Sequence, residues 1–379
     1  MSSRAATRRR RRLVATLTAA VLVAAGCSHA HHAAGGATPG GPGGSATSTT
    51  SVGGSGGPST TVASAAALKP VLQGIVEIDQ LPEGPELAVT GGVAVSVSWS
   101  DLQPAANGPI AANNPLDQAI TSVRAINQSD HLNLGIRARV LAGINAPDWV
   151  KDLGGPPVTV SGAQTAQAGT TGRFWTDQFG AAYNELQRKL AAKYDNVPEV
   201  REVTASRCTT IFAEPLIRQS ADLTTVTNLL AAGYTDAADD QCQRQMLDAH
   251  QVWQHTRTGV AFNPYQHPNG DSSDTAATLR YMQYCRQALG ARCVLENNSI
   301  RWPPLPTYET MYQAMSQMGP PISFQTAGPA RIGSLPMTLQ WAVQQGADAV
   351  ELSPGMLSGA IGGLTEVAAA LRASPVGPS

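Results

Sequence analysis

Residues 200–218 read VREVTASRCTTIFAEPLIR. The first part, with Val200, Val203, Thr204 and Ala205, is short and β-favouring, so it reads as a strand. A polar turn holding Cys208 follows, and then Phe212-Ala213-Glu214-Pro215. A strand running into a loop with a carboxylate beside an aromatic residue and a proline fits the C-terminal face of a (β/α)8 barrel, where that fold carries its catalytic residues. Pro215 restrains the backbone after the carboxylate and Phe212 can keep water away from it. Both conditions suit a Glu whose pKa is raised for proton donation. The plainer alternative is a loop Glu at a helix N-terminus, where a carboxylate complements the dipole.

Strand-like and helix-like segments alternate on both sides of this stretch. The strand segments are 74–78, 93–99, 135–142, 200–205, 258–262, 292–297, 322–326 and 347–352. Helical segments are 116–127, 175–193, 223–232, 241–255, 276–289, 308–318, 335–345 and 357–371. Eight strands with helices in most gaps ask for a parallel sheet closed into one (β/α)8 barrel over residues 67–379. A doubly wound open sheet is the alternative, weakened because no Gly-rich phosphate fingerprint follows a strand.

The N-terminus has a different character. Residues 1–26 read as an export signal: Arg8 to Arg12, an apolar run too short to span a bilayer, then Ala24-Ala25-Gly26-Cys27. This end resembles a bacterial lipoprotein signal, which implies acylation of Cys27 and a cell-membrane location facing outward. Residues 27–66 are dominated by Gly, Ser, Thr, Ala and Pro, the composition of a flexible tether. His29, His31 and His32 lie in it, and a solvated tether is commoner than a metal site there. The whole chain has formal charge −1, and the first 26 residues hold six arginines and no acid, so the remainder carries −7. Such a surface argues against nucleic acid as a partner and leaves the lipid as the only membrane attachment.

Cys208, Cys242, Cys285 and Cys293 remain after Cys27. An even number in an exported chain reads as disulfides, and proximity favours Cys208–Cys242 and Cys285–Cys293 among three pairings. The spacings lack the paired short motifs of zinc sites. No other metal or cofactor motif is present, so no cofactor is expected.

Three segments resemble one family in order. Residues 93–104, VAVSVSWSDLQP, are similar to the second strand of family-42 type β-galactosidases and related clan A glycoside hydrolases. Residues 136–150, IRARVLAGINAPDWV, resemble their third strand and its Pro-x-Trp loop, and KYDNVPEVREV at 193–203 resembles their link into strand four. The resemblance implies a barrel that acts on a carbohydrate, with Glu214 as acid. The chain departs from that pattern in three places. Ala213 stands where the family's Asn precedes the acid, Gln103 stands in place of a Glu before Pro104, and Gln325 stands where the nucleophile ends strand seven. A neutral amide cannot form a glycosyl ester as a carboxylate does.

A second carboxylate must then come from elsewhere, or the barrel only binds a glycan. Strand alternation turns Glu351 toward the axis, with Val350 and Leu352 outward, and turns Glu296 and Asn298 inward. A buried polar network is the alternative role for both carboxylates. Asp101, Glu77 and Asp79 are further candidates for which turn and cap roles are the simpler reading. Trp99, Trp149, Trp302 and Tyr265 fall at or after strand C-termini and offer ring faces for a sugar, while Trp175, Trp253 and Trp341 read as helical. Asn263, Asn298 and Gln325 add amides suited to hydroxyl recognition. A two-lobed solute-binding lipoprotein is the third class, disfavoured by eight sequential β/α units.

A Cys27→Ala variant, expressed in the native host, is expected to lose its lipid and leave the membrane fraction. Retention of the variant in that fraction after a salt wash would contradict this reading.

Overall fold

The structure, a computed structural model, describes residues 67–162, 166–270, 273–357 and 361–374. The signal, Cys27 and the tether with its histidines lie outside the described residues. Strands β1 (Gly74–Ile78), β2 (Thr90–Ser98) and β3 (Gly135–Leu141) are followed by a hairpin of β4 (Val158–Ser161) and β5 (Ala168–Thr171). Then come β6 (Val200–Thr204), β7 (Arg257–Ala261), β8 (Cys293–Ile300), β9 (Ile322–Thr326) and β10 (Ala349–Leu352). All strands but the hairpin pair close into one parallel barrel, β10 returning to β1. This is the (β/α)8 fold, and closure excludes the open-sheet alternative.

The helices are α1 (Trp99–Leu102), α2 (Pro115–Asp130), α3 (Asp148–Lys151), α4 (Asp177–Tyr194), α5 (Leu223–Ala231), α6 (Asp236–Ala249), α7 (Thr275–Leu289), α8 (Glu309–Met318), α9 (Leu335–Gln344) and α10 (Ile361–Arg372). Several start where a short polar side chain takes the first free amides: Thr176 for α4, Asp222 for α5, Asp274 for α7 and Ser334 for α9. Two details differ from the sequence expectation. The β4–β5 hairpin sits in the loop after β3, where alternation is too short to announce a strand. The helix read as 241–255 ends at Ala249, because His250 turns inward to bond Tyr183 Oη at 2.9 Å and Thr258 Oγ1 at 3.1 Å. Trp253 therefore follows the helix and Trp175 precedes one, leaving Trp341 alone of the three inside a helix.

Outward strand residues such as Val93, Val95, Ile136, Val140, Val203, Leu295 and Val350 belong to the large apolar layer shared with the helices. Inside the barrel, Leu72, Val76, Ile78, Ala94 and Ala349 form a small apolar cluster. Much of the remaining interior is ionic. Arg137, 1% exposed, extends from β3 to three carboxylates: Glu202 on β6 (Nη2–Oε2 2.5 Å), Glu296 on β8 (Nε–Oε1 3.1 Å) and Glu351 on β10 (Nη1–Oε1 2.6 Å). Its Nη2 also donates to Ser323 Oγ on β9 at 2.8 Å. One guanidinium thus ties together four other strands of the barrel. Gly259 on β7 leaves room for this, since a Cβ there would lie 1.9 Å from Glu296 Oε1.

Removing one partner of a buried ionic cluster leaves the others unpaired, at a cost of about 3–5 kcal/mol. Arg137→Ala is expected to lower the unfolding free energy by that amount in equilibrium urea titration. A change under about 1 kcal/mol would show that Arg137 does not hold the barrel.

Candidate active site

The loop from β6 to α5 is an irregular segment under heavy constraint. Residues 201–219 are all buried, and four sets of bonds fix them. Cys208 is joined to Cys242 of α6 (Cα–Cα 6.0 Å), the pairing expected from the sequence; Cys285–Cys293 (5.8 Å) is the other. Arg207 donates to Phe174 O, Thr176 O and Gln245 Oε1. Arg218 makes a two-oxygen bridge to Asp239 of α6, with Nη2 at 2.7 Å from Oδ1 and 2.6 Å from Oδ2. Gln243 Nε2 donates to Pro215 O at 2.6 Å, directly after Glu214. With its backbone held on both sides, Glu214 projects from a rigid base, and α5 begins only at Leu223. It is not a helix-terminal carboxylate.

Glu214 is 5% exposed, and burial pushes its carboxyl up to about 7. The Asn263 amide beside it and the fields of Arg139 and Arg331 oppose this more weakly. Asn263 Nδ2 donates to Glu214 Oε1 at 3.4 Å. The orientation of that amide is set from behind: Asn297 Nδ2 donates to Asn263 Oδ1 at 3.2 Å, and Tyr312 Oη donates to Asn297 Oδ1 at 3.0 Å. The chain from α8 through β8 and the end of β7 thus presents a donor to Glu214 Oε1.

Glu351 faces the interior, fully buried, and both its oxygens are engaged: Oε1 by Arg137 and Oε2 by Arg139. Burial works to raise its pKa, but the two guanidinium groups win and hold the carboxyl below the ordinary carboxylate value. Glu296 also faces inward, but burial and the neighbouring Glu202 and Glu351 push it up to about 7 against the pull of Arg137. Gln325 is 1% exposed on β9, in register with Glu351, and accepts from Arg139 Nη2 at 3.3 Å. Asp79, at the end of β1, accepts from Ser96 N at 2.6 Å, and burial raises its pKa. Asp101 is exposed in the first turn of α1, where Ser98 is the cap. Glu77 is buried on β1.

The aromatic residues divide. Trp99 is wholly buried, edge-packed against Trp149, Phe179 and Tyr183, so its reading as a sugar platform is corrected. Tyr265, 1% exposed, is likewise withdrawn: its hydroxyl bonds to Asp239 and Tyr234, inside the clamp on Arg218. An indole or phenol at a strand end packs inward when a helix lies over it, which position alone does not reveal. Trp149 is half-buried, with Nε1 donating to Gln103 O, and Trp302 is 36% exposed. Asn298 is 8% exposed beyond Glu296. Sequence reading passed over Arg137 and Arg139, although two arginines at alternate positions of an apolar strand can only face the interior.

No family model matches the chain, and no curated protein matches it by sequence. Among solved structures, the catalytic domain of the β-amylase from Paenibacillus polymyxa is similar over 80% of this chain and 100% of its own, with TM-score 0.51 and 12% identity. That likeness is one of fold. The β-galactosidase from Rahnella sp. R3 (81% of this chain, 58% of its own, 12% identity) and the β-1,4-mannanase from Aplysia kurodai (77%, 85%, 10%) each reach a TM-score of 0.45.

The raised pKa of Glu214 carries a sign. Its folded-state value of about 7 lies above the ordinary 4.5, so its contribution to stability is complete below pH 4.5 and is lost as pH rises to about 7. Glu214→Gln removes that loss. Relative to the parent, the variant is expected to gain about 3 kcal/mol in unfolding free energy between pH 4.5 and pH 8. A pH-independent difference between the two proteins would mean that Glu214 titrates normally.

Proposed function

We propose that the protein is an exported, lipid-anchored barrel that acts on a carbohydrate by hydrolysing a glycosidic bond, with Glu214 as proton donor. The observation that carries this is a buried carboxyl, raised to about 7, held by a clamped loop at the C-terminal end of the barrel strands. Its counterpart is Glu351, which Arg137 and Arg139 keep ionised. Two carboxyls with pKa values driven apart, one neutral and one charged, divide the labour of acid and anion. In the proposed step Glu214 gives its proton to the glycosidic oxygen as the bond to the anomeric carbon breaks. The fixed charge of Glu351 stabilises the oxocarbenium-like centre, and water adds to the anomeric carbon, its proton returning to the Glu214 carboxylate. Glu296, tied deeper to Arg137, is the alternative second carboxylate. Trp302 and Trp149 are the aromatic surfaces for the sugar, and Asn298 and Gln325 its amide contacts.

A second reading, a barrel that binds a glycan without cleaving it, has its own support. Gln325 occupies the strand-seven position of the missing nucleophile, and both oxygens of Glu351 are already committed to arginines.

The two readings separate on Glu214→Gln, since an amide keeps the shape and cannot donate a proton at the same pH. Under the hydrolase reading, turnover of an aryl-glycoside panel is expected to fall at least about 100-fold while sugar binding stays within a few-fold. Parent turnover is expected to decline above about pH 7, as Glu214 ionises. Equal turnover in parent and variant would remove Glu214 as the acid, and binding by a parent without turnover would establish the second reading.

A further inference from the structure

Three guanidinium groups near the mouth of the barrel have nitrogen atoms that are buried and unanswered. Arg139, 2% exposed on β3, spends Nη2 on Glu351 and Gln325, while its Nη1 has no hydrogen-bond partner. Arg301, just past β8, and Arg331, in the loop after β9, each bury an Nη2 with no partner. Neither Arg301 nor Arg331 has an ion pair with a carboxylate among the described residues. The two loops are joined: Trp302 N donates to Ile332 O at 3.0 Å, and the strand-like bridge continues to Gly333. Gly333 is needed there, because φ is +68° and a Cβ would meet Trp302 O at 2.1 Å. This bridge ties the loops bearing Arg301 and Arg331 together beside the exposed Trp302. The same two arginines repel each other through space, while Arg139 and Arg331 both act on Glu214.

A buried guanidinium donor left without an acceptor is costly. Arg139 and Arg331 act on Glu214, and Arg301 acts on Arg331, so the three gather positive charge that is short of an anion. Arginine forks match planar and tetrahedral oxyanions, and burial strengthens the attraction.

We infer that the sugar accepted at this mouth carries an oxyanion, a uronic carboxylate or a sulfate ester, which Arg139, Arg301 and Arg331 receive while Trp302 stacks on the ring. The inference rests on the carbohydrate reading above and narrows it to acidic glycans.

The test is calorimetric titration of matched oligosaccharides: oligogalacturonate, its fully methyl-esterified form, and a sulfated galactan with its desulfated parent. The acidic member of one pair is expected to bind at least about 10-fold tighter than its neutral partner, and to weaken as salt is raised. Which pair responds distinguishes carboxylate from sulfate. Arg301→Gln and Arg331→Gln, both at half-buried positions, are expected each to erase most of that preference with melting temperatures near the parent's. Equal binding of acidic and neutral members overturns the inference and leaves the carbohydrate reading in place. No binding of any of the four overturns both.

Discussion

Arg137 is the point on which the interior of this barrel depends. A (β/α)8 barrel is ordinarily filled by layers of branched apolar side chains. Here part of the filling is a single guanidinium that reaches Glu202, Glu296, Glu351 and Ser323 on four other strands. Burial of such a cluster is a weak source of net stability, since desolvation offsets most of the attraction. What it supplies is geometry. Glu351 and Glu296 are held where the strands put them, and the relation of β3 to β6, β8, β9 and β10 is fixed through one planar group. Gly259 shows how tightly the layer is built, because the smallest side chain on that strand would collide with Glu296.

The second device acts on the loop rather than the barrel. Glu214 lies ten residues after the end of β6, in a segment without regular structure. A loop of that length holds a buried carboxyl in place only if its own backbone is tied down. The disulfide to α6, the Arg207 bonds to the chain before α4, and the Arg218–Asp239 bridge with its two tyrosines provide this. Cys242, Asp239, Gln243 and Gln245 all lie on α6, so that helix is the main wall against which the loop is set. The cost of burying Glu214 is met by these bonds, and the raised pKa is what remains of that cost at the carboxyl itself.

The sequence made the barrel legible because eight β-favouring runs recur between amphipathic helices, a pattern tied to backbone geometry. Glu214 was legible for a local reason, the aromatic and proline flanking it, and the inward facing of Glu351 and Glu296 followed from alternation. Trp99 and Tyr265 were misread because a strand end does not say whether a helix will cover the ring. The arginines escaped notice for a related reason. Arg137 and Arg139 declare their inward direction by spacing, but their partners lie 65 to 214 residues away, and only closure of the barrel brings them together. Arg301 and Arg331 sit in loops with no periodicity at all, and their proximity depends on the bridge at Trp302 and Gly333.

Gln325 places an amide, not a carboxylate, in the buried interior beside Glu351. Its surroundings give it a positive role. It is in register with Glu351 and touches Arg139. A glutamate in its place would set a second carboxylate against the same guanidinium, next to one that is already fully ionised. Arg139 would then be neutralised from two sides, and like charge would press on Glu351. With the amide, Arg139 gives one hydrogen bond to Gln325 at no cost in charge, and its Nη1 keeps no hydrogen-bond partner. The amide therefore leaves the surroundings of Arg139 more positive than a glutamate would. An anion received at the mouth, as inferred above, would meet that positive charge, whereas a second carboxylate beside Arg139 would cancel it.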